Sequence, residues 1–145
     1  VIIYSLVTKG KDNGYSSYDT PHGVFMVAHT RTYMMFTRNL RANETIGAIP
    51  SRLKAGGNQV IAGEAPYAIR FSGGAYLHGI PGPIGASSES KWYTAAKIGT
   101  YKESHKCVRH YDDQIKFLFD WLSVEKYEKF DSQIALKENA IVFVL

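Results

Sequence analysis

Ser104-His105-Lys106-Cys107-Val108-Arg109 holds the only cysteine of the chain, with a histidine two positions before it and basic side chains on both sides. A thiol attacks as thiolate, and from a free pKa of roughly 8.5 its ionised fraction rises beside cationic or imidazole groups. The hexapeptide therefore reads as a reactive-cysteine loop. A lone cysteine is more often a small buried hydrophobe, but the polar flanks Ser104, His105, Lys106 and Arg109 argue against a wholly apolar site. Upstream, Gly73-Gly74-Ala75-Tyr76-Leu77-His78-Gly79 is an apolar, strand-like run ending in a turn residue. It would aim the His78 imidazole across a sheet edge at the thiol, as a candidate base.

Working outward, Pro66-Tyr67-Ala68-Ile69-Arg70-Phe71 and Ala75-Tyr76-Leu77-His78 predict a hairpin turning at Ser72-Gly73-Gly74. A strand is expected at residues 24–29 after the turn Pro21-His22-Gly23, and a closing strand at residues 140–145. Residues 38–57, punctuated by Asn43, Gly47, Pro50 and Gly56-Gly57, read as a surface excursion. Residues 80–103 form a long connection; Trp92, Tyr93 and Tyr101 would line it as a lid or anchor it to a satellite core. Ile115, Leu118, Phe119 and Leu122 recur at helical spacing behind Asp112-Asp113, predicting one helix capped by an aspartate, whose apolar face holds the Cys107 loop against a sheet.

Three separated pieces together resemble the YkuD-type L,D-transpeptidases, bacterial enzymes that crosslink peptidoglycan with a cysteine nucleophile. Asp19-Thr20-Pro21-His22-Gly23-Val24-Phe25 is similar to that family's Thr-Pro-x-Gly-x-Phe segment, Gly74 to Gly79 to its His-Gly strand end, and Ser104 to Arg109 to its Ser-His-Gly-Cys-x-Arg signature. They occur in the family's order. The resemblance implies a mostly β fold, a YkuD-like mixed β-sandwich with one helix after the nucleophile motif and a long cleft-covering loop. It implies one catalytic domain over residues 1–145, with room for further strands or an export segment before Val1. Cys107 would form a thioester with a peptidoglycan tetrapeptide donor and pass the acyl group to an amine acceptor, or to water in an L,D-carboxypeptidase reaction. His78 would be the base, oriented by the Gly79 carbonyl, and His105 would tune the thiolate or position substrate. The Lys106 and Cys107 N–H groups would receive the oxyanion, Arg109 would hold a carboxylate or brace the loop against Asp112 or Asp113, and Ser104 and Tyr67 would border the cleft. The resemblance also implies an extracytoplasmic location, in periplasm or cell wall, sensitivity to carbapenems, and no cofactor or metal.

Two departures stand out. Lys106 occupies the family's glycine position, and the interval from His78 to Cys107 is longer than usual. Glycine tolerates positive φ whereas lysine meets a steric penalty there, so the expectation is a shifted loop with ordinary lysine backbone.

The chain has 145 residues, 45% hydrophobic and 21% charged, which bounds it to one ordinary globular domain. A single cysteine forms no internal disulfide, so it assigns no redox compartment. No run reaches the roughly 18 apolar residues of a membrane helix, and no signal-peptide pattern is present. The net charge is +4, with Arg31, Arg38, Arg41, Arg52 and Lys54 clustered around Glu44. That charge would favour an anionic polymer, yet no nucleic-acid motif accompanies it. Two rival readings remain open: a zinc site built from His105, Cys107 and His110 with His78, and a wall-binding module weakened by Lys106.

Overall fold

The computed structural model describes residues 7, 9–10, 19–87, 89–99, 106–128 and 133–145. Its strands are β1 (Gly23–Met26), β2 (His29–Asn39), β3 (Lys54–Gly56), β4 (Gln59–Ser72), β5 (Ala75–His78), β6 (Val108–Arg109) and β7 (Ile141–Val144). The helices are α1 (Trp92–Ala95), a single turn inside the long connection, and α2 (Asp112–Leu122). Strands dominate, as the resemblance implied, and α2 follows the nucleophile motif directly.

The expected hairpin is present. β4 and β5 run antiparallel with Ile69 opposite Leu77 and Ala68 opposite His78, and the turn places Gly74 at φ 79°, a conformation glycine adopts without a Cβ clash. β2 pairs antiparallel with the other edge of β4, and β6 pairs in parallel with β5, giving the path β2-β4-β5-β6 with β3 beside β4. Because β5 and β6 are parallel, the chain between them must cross over. That requirement explains the long segment separating the two motifs.

One face of this sheet is apolar. Ile69 packs with Val27, Ile115 and Leu122, while Phe71, Ala75, Val108 and Val144 form an adjoining cluster that Val7 and Phe25 join. α2 and the β1–β7 ribbon cover it, and the ribbon fulfils both outer strand expectations, with Val24 opposite Phe143 and Met26 opposite Ile141. α2 buries Ile115, Phe119 and Leu122, each worth roughly 1.5–3 kcal/mol relative to exposure. The helix is not capped as expected. Tyr111 holds the cap position without a side-chain bond, and the Asp112 and Asp113 carboxylates accept from the Ile80 and Gln114 N–H groups instead.

The surface excursion is also shorter than expected. β2 carries regular pairing out to Asn39 opposite Gln59, with one bulge between Phe36 and Thr37. Within it, Arg38 makes a bidentate pair with Glu44 at 2.6 and 2.8 Å, and the Arg41 N–H donates to the same carboxylate.

Candidate active site

Register decides what sits beside the cysteine. Leu77 lies opposite Val108 and His78 opposite Arg109, and Leu77 and Val108 both face the apolar core. Alternation along a strand then turns Tyr76, His78, Cys107 and Arg109 to the other face. There Cys107 packs with Ala68 and Tyr76, and Met34 closes the group from β2. The two motifs that sequence reading singled out are thus brought onto adjacent strands.

His78 is 1% exposed and its Nδ1 lies 2.7 Å from the Gly79 carbonyl oxygen. A carbonyl can only accept, so Nδ1 carries the proton and Nε2 keeps the lone pair a base needs. The Phe36 ring, missed by sequence reading, meets the imidazole edge-on at 5.4 Å. Burial holds the imidazole pKa down at about 4, against the pull of the Gly79 bond, with Arg109 and His110 adding to the depression. His78 is therefore neutral at neutral pH.

Gly79 has a reason to be glycine. A Cβ built there would fall 2.5 Å from Asp112 Oδ1, 2.7 Å from Pro66 Cγ and 2.9 Å from the Pro66 carbonyl oxygen. The Gly79 N–H donates to the Pro66 carbonyl at 2.9 Å, and the Ile80 N–H to Asp112 Oδ1 at 2.7 Å. The His110 N–H donates to the His78 carbonyl at 2.9 Å. Strand β4, the end of β5 and the start of α2 converge on this dipeptide and fix the imidazole.

The thiol departs from the sequence expectation. Cys107 is 4% exposed, and burial pushes its pKa up, outweighing the hydrogen bond from the Tyr76 backbone and the Arg109 charge, which lower it. Its S–H donates to the Gly74 carbonyl at 3.9 Å, and among the described residues no hydrogen bond joins it to His78. The resting pair is a neutral thiol and a neutral imidazole on neighbouring strands. Apo geometry of this kind often tightens only when substrate arrives.

Lys106 corrects the expectation of an ordinary backbone. Its φ is 62°, the left-handed region, so the loop keeps the conformation glycine would favour and a lysine occupies it at a cost of about 1–2 kcal/mol.

Tyr67 is likewise at positive φ, 48°, but its ring packs on Phe119 of α2 at 5.1 Å, toward the core rather than beside Cys107. Arg109 shares the face of His78 and its charge lowers the imidazole pKa, while Asp112 and Asp113 each accept from a backbone N–H group. Ser104, His105 and Tyr101 lie outside the described residues. Trp92 and Tyr93 are exposed and stack edge-to-face at 5.8 Å, while Ile80 and Ile98 are buried. The connection also returns to β4 through paired Glu64 and Gly82 backbone bonds. Among the described residues, no group of three His, Cys, Asp or Glu side chains is placed to hold a metal.

A family model described as YkuD, L,D-transpeptidase catalytic domain, matches residues 2–134. No curated protein matches the chain. Among solved structures, an L,D-transpeptidase from Mycobacterium smegmatis is similar over 85% of this chain with a TM-score of 0.51 and 18% identity, a likeness of fold. This chain spans 46% of that longer one.

Proposed function

Since the chain belongs to the YkuD family of L,D-transpeptidase catalytic domains, we propose that it is an acyltransferase working on peptidoglycan stem peptides through a Cys107 thioester. The observation that carries this reading is the placement of Cys107, immediately before β6, and His78, at the end of the neighbouring β5, on one sheet face, with Nδ1 locked by the Gly79 carbonyl.

The neutral pair dictates the order of events. As Cys107 Sγ approaches the carbonyl carbon of donor residue three, its proton passes to His78 Nε2, and the S–C bond forms as the carbonyl oxygen takes the electron pair. Backbone N–H groups of Lys106 and Cys107 receive that oxyanion, each worth on the order of 3 kcal/mol to the transition state. The left-handed Lys106 backbone supports this role by preserving a glycine-type loop. The C–N bond to the terminal D-residue breaks, and the imidazolium returns its proton to the leaving amine. An acceptor amine then attacks the thioester, or water does so in the carboxypeptidase variant, and the thiol is regenerated. His105 and Ser104 lie next to the nucleophile in sequence, and their contribution rests on family resemblance, as do an extracytoplasmic location and carbapenem sensitivity. The scheme uses no cofactor.

Intact-mass analysis after incubation with a carbapenem tests the reading. One adduct of the intact β-lactam mass, absent in Cys107→Ala, is expected. An adduct that persists in Cys107→Ala, or none on a folded wild type, contradicts it.

A further inference from the structure

The sheet face that carries Cys107 continues toward β2 as a row of cations. His29 on β2 lies opposite Arg70 on β4, and Arg70 opposite Tyr76 on β5; one step along, Arg31 lies opposite Ala68, which lies opposite His78. Cross-strand partners share a face. The Arg31 guanidinium sits 5.4 Å over the Tyr76 ring, and the His29 ring meets the same tyrosine edge-on at 6.2 Å. Tyr76 in turn packs on Cys107.

This row lacks what charged side chains normally find. Arg31 Nε and His29 Nε2 are both buried without a hydrogen-bond partner, an unfavourable arrangement for polar atoms withdrawn from water. Among the described residues no carboxylate pairs with Arg31 or Arg70, although Arg38, from the same basic stretch, is fully engaged by Glu44. The positive field is felt locally: burial first, then Arg31 and Arg70, lower the pKa of His29. Two half-buried guanidinium groups, an unpartnered donor and a neutral imidazole form a receptor that a carboxylate would complete with charge-assisted, fork-like hydrogen bonds.

Distance narrows which carboxylate. Arg70 and Cys107 flank the strand of Tyr76, so two inter-strand spacings, about 10 Å, separate their backbones. The carboxylate of the leaving D-residue is one residue, about 3.5 Å of extended chain, from the attacked carbonyl, and would meet Arg70 only if that side chain lay extended along the sheet toward the thiol. A carboxylate at the end of a long side chain on donor residue three, or on donor residue two, has the reach. Resting on the transpeptidase reading, we propose that Arg31 and Arg70, with His29 beside them, bind such a donor carboxylate and make the enzyme selective for acidic stem peptides.

Steady-state kinetics of wild type, Arg31→Gln, Arg70→Gln and Arg31→Lys test this with three tetrapeptide donors. One carries diaminopimelate at residue three and a free carboxylate at residue two; each of the others has one of those carboxylates amidated. The expected result is a KM raised 10-fold or more in both glutamine variants on the acidic donor, with kcat within about 3-fold. Arg31→Lys should recover part of the loss, and one of the two amidated donors should be used equally by wild type and variants. That donor identifies the carboxylate. Rates of Cys107 alkylation by neutral iodoacetamide should be unchanged, which separates a lost pocket from a disturbed nucleophile. Equal KM values for wild type and both glutamine variants on the acidic donor overturn the pocket while leaving the transpeptidase reading intact. So does an effect of the variants that survives both amidations. A folded wild type that consumes no donor overturns the transpeptidase reading, and the pocket with it.

Discussion

Lys106→Gly offers a sharp test of how the nucleophile loop is built. Lys106 sits at φ 62°, where the Cβ of an L-residue crowds the backbone by about 1–2 kcal/mol. Glycine removes that crowding, but it also frees the unfolded chain, an opposing effect of roughly 0.4–1 kcal/mol. The difference is a net stabilisation of about 0.5–1 kcal/mol. For a chain of 145 residues this corresponds to a rise in Tm of about 1–3 °C, since each kcal/mol shifts a domain of this size by roughly 3 °C. Lys106→Ala keeps the Cβ and so should melt within about 1 °C of wild type. Differential scanning calorimetry on the three proteins gives the ranking, and donor turnover should be undiminished in Lys106→Gly because the N–H groups of the loop keep their direction. A glycine variant that melts below both lysine and alanine forms would refute the reasoning, since it would mean that residue 106 is unstrained.

Further outcomes follow from the same geometry. His78→Ala should slow acylation by a factor of about 10²–10⁴, the usual worth of a general base, while leaving the pH profile of Cys107 alkylation nearly unchanged; a large shift of that profile would reveal a pre-formed thiolate–imidazolium pair. Gly79→Ala should cost about 1–3 kcal/mol in a denaturant titration, because its Cβ meets Asp112 and Pro66 backbone and ring atoms, and a variant as stable and active as wild type would refute that packing. Burial holds both His78 and His110 at about 4, below the ordinary 6.5. The unfolded chain then takes up protons first as pH falls, so stability present above pH 6.5 declines toward pH 4, by roughly 3 kcal/mol for each histidine. Urea midpoints that stay level from pH 7 to pH 4 would contradict this.

The hairpin and α2 were legible because their signals are local: a Ser-Gly-Gly turn between two apolar runs, and four apolar residues at helical spacing. β2 was not, since its apolar run Tyr33-Met34-Met35-Phe36 lacks clean alternation and its arginines read as solvated surface. Whether Arg31 faces Tyr76 or Arg38 meets Glu44 depends on strand register and loop closure, neither of which is written in neighbouring residues. Cys107 and His78 were identified by type and order, but the protonation state of the thiol was misread from its flanking charges. Desolvation by strands distant in sequence outweighs the Tyr76 backbone hydrogen bond and the Arg109 charge at the thiol. Lys106 itself was expected to take an ordinary backbone, the intrinsic preference of lysine, but stands at φ 62°.

The central claim, that Cys107 carries the acyl group, is tested most directly by rapid acid quench of the enzyme with a tetrapeptide donor, followed by mass analysis of the peptide containing residue 107. The account predicts a hydroxylamine-labile mass increase equal to the donor minus its terminal D-residue, stoichiometric release of that D-residue, and loss of both in Cys107→Ala. Turnover retained by Cys107→Ala, or an acyl group on any other residue, would contradict it.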